Sequence, residues 1–228
     1  MLKDILSTIC IIMLKKTNAL LYEMIVVMGL TVLFSFYYPE YKSFITLAPL
    51  IYLLIERKKR GRSWDDIGFK FKKTLTDLKN NWYLVILVVI VTQVLTLGIG
   101  EYFFAGFLQH IKSRIPLINP SMIIPFMIML FAATLGEELI FRVFLQERLN
   151  WYIGVTFAIL ISSAVFASLH YASGPLSIIS FDIFTIFIDS IIYGIIYYKT
   201  KNVFAAWIPH LLADVVAIFL IVNFLSII

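Results

Sequence analysis

A long apolar stretch that ends in three charged residues constrains this chain more than any other feature. The run from Pro116 to Gly136 contains 21 residues without a charge, and about 20 helical residues are enough to cross the hydrocarbon core of a bilayer. Glu137, Glu138 and Arg142 follow directly. Because an ionised side chain near the bilayer centre costs on the order of 2.5–3.5 kcal/mol, two adjacent glutamates need charge partners or a water-filled cavity. The sequence therefore predicts a polar site inside a membrane domain.

Helical spacing gives the two glutamates different surroundings. Glu138 and Arg142 are four residues apart and share a helix face, which predicts an ion pair within one helix. Glu137 points about 100° away, so we expect its partners on other helices. The candidates are His170, His210 and Asp214 of the later apolar segments. Asp182 and Asp189 are seven residues apart on one helix face and either line the same cavity or have boundary or packing roles. A lone histidine in a membrane segment is more often a packing residue than a catalyst, but several such residues on three helices favour a site.

The composition agrees with a membrane domain and excludes other classes. Hydrophobic residues make up 61% of the chain and charged residues 14%, whereas soluble domains contain about 25% charged residues. The single cysteine, Cys10, excludes a disulfide framework and a cysteine-based zinc site. Its distance in sequence from His170 and His210 argues against a Cys/His protease. The net charge of +5 comes from basic residues beside apolar spans, so it implies no nucleic-acid partner.

The apolar stretches predict an all-α, polytopic helical bundle and a single membrane domain over 1–228. About seven spans are expected, at 18–38, 43–55, 82–106, 119–145, 151–172, 175–198 and 203–226. Residues 1–17 carry three lysines around a short apolar run and predict an N-terminal interfacial helix. The loop 56–81 contains nine lysines and arginines, so the positive-inside rule places this loop and the N-terminus in the cytoplasm. The protein is thus expected in the cell membrane, with its catalytic core at 119–226.

Glu137, His170, His210 and Asp214 supply the groups that hydrolysis of an amide bond requires. A desolvated carboxylate can accept a proton from water, and a neighbouring imidazole can orient that water or protonate the leaving nitrogen. His210, oriented by Asp214, can donate to the oxyanion. The chain contains no Gly-x-Ser-x-Gly and no His-Glu-x-x-His, so attack by water is the economical mechanism. The predicted spans place His170 near the outer end of one helix and His210 about 10 Å from the inner end of another, so a tilted helix or a funnel-like cavity must bring them together.

Three motifs in this order resemble those of the CPBP intramembrane proteases. They are Glu137-Glu138-x-x-x-Arg142, Phe166-x-x-x-His170 and His210-x-x-x-Asp214. The family holds the type II CAAX prenyl endopeptidases, bacteriocin-processing or immunity proteins, and abortive-infection-like membrane proteins. The similarity covers roughly 120–220 and includes the run from Tyr198 to His210 that leads into the third motif.

The resemblance implies an intramembrane endopeptidase acting on a membrane-associated or leader-peptide substrate, with Phe166 as a supporting residue. It implies that Glu137 and His170 activate water and that Glu138 and Arg142 support the helix. It also implies that His210 and Asp214 stabilise the oxyanion. Eukaryotic CAAX-cleaving members carry asparagine at the position of Asp214. The aspartate therefore favours a bacterial-type role over a prenylated substrate.

The sequence leaves two other functions and one metal site open as alternatives. A non-catalytic immunity or regulatory protein that binds a peptide or membrane-protein partner would keep the motifs for packing. A transporter would use the carboxylates as proton relays, although the absence of paired repeats with broken helices argues against it. Family members are often called metalloproteases, and zinc could be held by His170, His210 and a carboxylate, Glu137 or Asp214. If Asp214 orients His210, such a site leaves no carboxylate to act as base, so we expect metal-free water activation and no cofactor.

Overall fold

Nine principal helices follow one another in a computed structural model, which describes residues 2–114 and 123–225. In chain order they are α1 (Leu2–Tyr37), α2 (Leu47–Lys59), α3 (Thr74–Asn80), α4 (Trp82–Phe103), α5 (Phe107–Arg114), α6 (Ile123–Ile153), α7 (Val155–Ser168), α8 (Leu176–Thr200) and α9 (Val203–Leu225). Short helical turns precede α2 and α3, and no strand occurs in the ranges just given. The predicted all-α class is confirmed.

Five of these helices are long and apolar enough to cross a membrane: α1 over Ala19–Tyr37, α4, α6, α8, and α9 over Val203–Asn223. The chain is therefore a multi-pass membrane protein, but the expected count of about seven spans is not confirmed. The predicted spans 43–55 and 151–172 coincide with α2 and α7, which have 13 and 14 residues. At 1.5 Å per residue each is about 20 Å long, shorter than a hydrocarbon core of about 30 Å.

Two helix boundaries within residues 2–114 differ from those expected from the sequence. Helix α1 runs without interruption from Leu2 to Tyr37, so the segment 1–17 is continuous with the first span, and a separate interfacial helix is not confirmed. The segment 107–118, between the expected spans 82–106 and 119–145, is helical as far as Arg114, and its remainder lies outside the described residues. Gly154, with a φ of 77°, ends α6 and begins α7. This backbone conformation favours glycine and shortens the predicted fifth span.

Helix α6 contains the two glutamates and, directly after them, a completely buried stretch. Immediately after Glu138 it changes to a π-helical stretch, Leu139–Gln146, whose eight residues are all buried. Gln146 Nε2 donates to the carbonyl of Gly194 at 2.9 Å, and a Cβ atom at Gly194 would lie 2.8 Å from Gln146 Oε1. The glycine therefore permits α6 and α8 to approach closely.

The basic loop 56–81 is folded against the start of α9. Gly68 adopts a φ of 82°, and its carbonyl accepts a hydrogen bond from Val203 N at 2.8 Å. The Asn202 side-chain amide donates to Asp77 Oδ2 at 2.8 Å. These bonds fix the loop to the same helix that carries the third motif.

Buried charges hold this end of the bundle together. Glu56 is 4% exposed and contacts Arg60 at 3.2 Å, Arg62 at 3.3 Å and Arg148 at 3.0 Å. Arg60 also contacts Glu23 at 2.7 Å. Two of the loop arginines therefore neutralise a buried carboxylate, a structural role beyond the topological one that the sequence predicts.

Candidate active site

A cavity of about 360 Å³ lies among α4, α6, α8 and α9. Its lining includes the four residues that the sequence predicts as catalytic: Glu137, His170, His210 and Asp214. Apolar side chains of α6 and α9, among them Phe126, Met129, Leu130, Ala217 and Ile218, form another part of the wall. The cavity is thus polar at the motif residues and apolar on the surfaces around them.

The predicted pair between Glu138 and Arg142 is present. Arg142 Nε donates to Glu138 Oε2 at 3.1 Å, and both side chains are fully buried. Arg142 Nη2 also donates to Ser190 Oγ at 2.9 Å. Because Ser190 belongs to α8, the guanidinium joins two helices as well as neutralising the glutamate.

The second oxygen of Glu138 makes a contact that the sequence did not predict. His210 Nδ1 lies 2.9 Å from Glu138 Oε1, a hydrogen bond between residues 72 positions apart. A carboxylate beside Arg142 accepts hydrogen bonds, so we assign a hydrogen to Nδ1 of His210. The sequence predicted that Asp214 orients this ring. In the structure Glu138 binds Nδ1, whereas Asp214 lies on the opposite side of the ring.

The Nε2 edge of the His210 ring faces the cavity. Its Nε2 is 3.7 Å from Glu137 Oε2 and 3.9 Å from Asp214 Oδ2. Tyr193 stacks on the imidazole with ring centroids 4.6 Å apart, and Phe166 contacts it with its ring centroid at 5.7 Å. Aromatic contacts and the Glu138 hydrogen bond together fix the plane of the ring.

His170 reaches the same cavity from the turn that follows α7. Its Nδ1 lies 2.9 Å from the carbonyl oxygen of Phe166, which can only accept, so the neutral ring carries its hydrogen on Nδ1 and its acceptor on Nε2. The Phe166 ring lies 4.5 Å from the His170 ring and also contacts His210. Because α7 ends at Ser168, His170 and His210 line one cavity although their predicted spans place them at different depths.

Two further carboxylates of α8, Asp182 and Asp189, line the cavity. Asp182 Oδ2 lies 3.5 Å from His110 Nε2. Asp189 Oδ2 accepts a hydrogen bond from Gln93 Nε2 at 2.8 Å. Helical periodicity predicted that the two aspartates share a helix face. No spacing rule identifies their partners, His110 on α5 and Gln93 on α4.

The candidate zinc ligands are not brought together as a set. Within residues 2–114 and 123–225, no group of three or more His, Cys, Asp or Glu side chains is arranged to hold a metal ion. His170 and His210 line the same cavity, and in both rings Nδ1 is bonded within the protein, to Phe166 O and to Glu138 respectively.

Comparison with known families agrees with the motifs. Residues 119–216 match the family model described as Type II CAAX prenyl endopeptidase Rce1-like. This range contains all three motifs that line the cavity. No curated protein and no solved structure gives a significant match. The family match thus supports the resemblance that the motifs indicate.

Proposed function

We propose that this protein is an intramembrane endopeptidase that uses water activated at Glu137, since residues 119–216 match the model of the Rce1-like type II CAAX prenyl endopeptidases. The observation that carries the proposal is the convergence of Glu137, His170 and His210 on one cavity of a multi-pass helical bundle. Such a cavity can bring water, a base and a hydrogen-bond donor together beside an apolar wall of α6 and α9.

Glu137 is the base because water can reach it. Its side chain is 32% exposed, whereas that of Glu138 is completely buried and bonded on both oxygens. A water molecule between Glu137 and His170 transfers a proton to Glu137 and attacks the carbonyl carbon of the substrate. Glu137 then returns this proton to the leaving nitrogen, so the reaction consumes one water and cleaves one peptide bond.

His210 donates a hydrogen bond to the oxyanion, and Glu138 positions the His210 ring. With Nδ1 bonded to Glu138, the ring presents Nε2 to the cavity, and in its protonated form it can donate from that atom. Glu138 acts through His210, so it is a positioning residue in addition to the support of the helix that the motifs implied. Arg142 keeps Glu138 ionised and in place.

The substrate class follows from the lining of the cavity. An apolar wall of α6 and α9 suits a membrane-associated or leader peptide whose side chains are largely apolar. The test is cleavage of a library of such peptides by purified protein in lipid nanodiscs, with Glu137→Gln as the inactive reference. A protein that binds these peptides and never cleaves them would instead be the non-catalytic immunity or regulatory protein.

Chelation tests the proposed use of water without a metal. We expect cleavage to continue at an unchanged rate after exhaustive treatment with a zinc chelator, because the proposal assigns proton transfer to Glu137. The measurements are the cleavage rate and the zinc content of the same sample. Stoichiometric zinc, with activity lost on its removal and restored on its return, would make Glu137 or Asp214 a ligand and contradict this role.

Cysteine labelling tests the proposed cytoplasmic position of the loop 56–81. In a Cys10→Ser background, Asn80→Cys in this loop and Ser173→Cys between α7 and α8 each introduce one exposed thiol. We expect a membrane-impermeant maleimide to label the Ser173 variant on intact cells and the Asn80 variant only after lysis, because nine basic residues favour the cytoplasmic side. Labelling of the Asn80 variant on intact cells would reverse the orientation.

A further inference from the structure

The short helix α3 has one side bonded to the bundle and one side open. Thr74 is buried, and the Asn202 amide donates to its hydroxyl at 3.2 Å and to Asp77 Oδ2 at 2.8 Å. Leu75, by contrast, is 80% exposed, and it shares a helix face with the exposed Lys79, four residues further on. The hydrogen bonds to Asn202 therefore fix which side of α3 faces outward.

The open side of α3 lies at the level where three spans end. Trp82, two residues after α3, begins the span α4, and Asn202 directly precedes the span α9. Lys199, in the last turn of the span α8, donates to the hydroxyl of Tyr83. Tryptophan, tyrosine and lysine at the ends of spans are typical of the boundary between hydrocarbon and headgroups. The open side of α3 is thus next to lipid headgroups.

Exposed apolar and basic side chains lie together on this open side. Six of them make up what we call the α3 surface: Phe71, Leu75, Trp82, Lys72, Lys73 and Lys79. Within the described residues, none of the three lysines forms an ion pair or a side-chain hydrogen bond. The only acidic residue between positions 70 and 83 is Asp77, which Asn202 holds on the inner side. The α3 surface therefore combines apolar area with a positive charge that the described protein does not neutralise.

We infer that the α3 surface binds anionic phospholipid of the adjacent leaflet. Lipid phosphates accept hydrogen bonds from the lysine ammonium groups, and acyl chains cover Phe71 and Leu75. A zwitterionic phospholipid offers the same chains without net charge, so the three lysines favour an anionic headgroup. An acidic soluble protein can pair with the lysines, but Trp82 lies where a span begins, and a soluble partner cannot cover it. This binding does not depend on the proposed proteolytic activity.

The test is a titration of the purified protein, in an uncharged detergent, with phosphatidylglycerol or phosphatidylcholine that carry the same eight-carbon chains. Native mass spectrometry counts the bound lipid at each concentration. We expect the first phosphatidylglycerol to bind about 100-fold more tightly than phosphatidylcholine, since each lysine near a membrane surface contributes about fivefold. The triple substitution Lys72→Gln, Lys73→Gln, Lys79→Gln should remove this preference, whereas arginine at the same three positions should preserve it.

Lys58→Gln, Lys59→Gln, Lys112→Gln is the matched control, because it removes the same charge from exposed positions outside the α3 surface and should preserve the preference. Both glutamine variants should melt at the wild-type temperature, since all six lysines are exposed. An equal loss of preference in the control overturns the inference, because the total charge then attracts the lipid. Equal affinity of the wild-type protein for both lipids also overturns it. So does binding of a polyglutamate peptide, but not of phosphatidylglycerol, at the three lysines, which would indicate an acidic protein partner.

Discussion

Glu137→Gln is expected to abolish peptide cleavage and to leave the fold almost unchanged. The amide has nearly the same shape as the carboxylate but cannot take a proton from water, and a general base contributes about 10²- to 10⁴-fold to a rate. We therefore expect a fall in kcat of about a thousandfold. Since the side chain is partly exposed to the cavity and lies 3.7 Å from His210 Nε2, no tight buried ion pair is lost. The free energy of unfolding should change by less than about 1 kcal/mol.

The measurements are single-turnover cleavage in nanodiscs and thermal unfolding of the same preparations. Glu40→Gln provides the matched control, because Glu40 is exposed in the turn after α1 and the chemical change is identical. We expect the control to cleave at the wild-type rate. Normal turnover by Glu137→Gln would remove Glu137 from the reaction and refute the proposed mechanism.

Arg142→Ala is expected to cause the largest loss of stability among single substitutions in the three motifs. It leaves Glu138 fully buried without its charge partner and also removes the hydrogen bond to Ser190. Breaking a buried ion pair from one side costs about 3–5 kcal/mol. We expect a correspondingly lower melting temperature in detergent and less protein in the membrane fraction.

Arg60→Ala is the control for this prediction. The side chains of Arg60 and Glu23 are 25% and 39% exposed, and the buried Glu56 retains Arg62 and Arg148, so the loss should be about 1 kcal/mol or less. A second comparison separates stability from catalysis. The double substitution Glu138→Met, Arg142→Met should recover much of the stability but not the activity, because His210 loses its Nδ1 partner. Equal melting temperatures for Arg142→Ala and Arg60→Ala would contradict the prediction.

Features within a single helix could be predicted from the sequence. The four-residue spacing of Glu138 and Arg142 predicted their contact, and the seven-residue spacing of Asp182 and Asp189 predicted that they share a helix face. In both cases the geometry of an α-helix alone determines which side chains are neighbours. The helical class followed for a similar reason, since long apolar runs in a membrane must satisfy their backbone hydrogen bonds internally.

Contacts between distant helices and the lengths of short helices could not be predicted in this way. Glu138 and His210 are 72 positions apart, and no spacing rule connects residues on separate helices. The predicted span 151–172 is not confirmed for a different reason, because apolar residues continue on both sides of α7 while Gly154 and the turn after Ser168 limit the helix. Composition indicates that a segment is apolar, but lipid and a protein interior are both apolar surroundings.

The position of Arg142 on the same helix as Glu138 has a consequence for biosynthesis. Both charges leave the ribosome within one turn of nascent helix, so they neutralise each other when that helix enters the membrane, before any later helix exists to shield them. His210 is synthesised 72 residues after Glu138. The segment is thus already paired when it is inserted, and the histidine joins the cavity only after α9 has been synthesised.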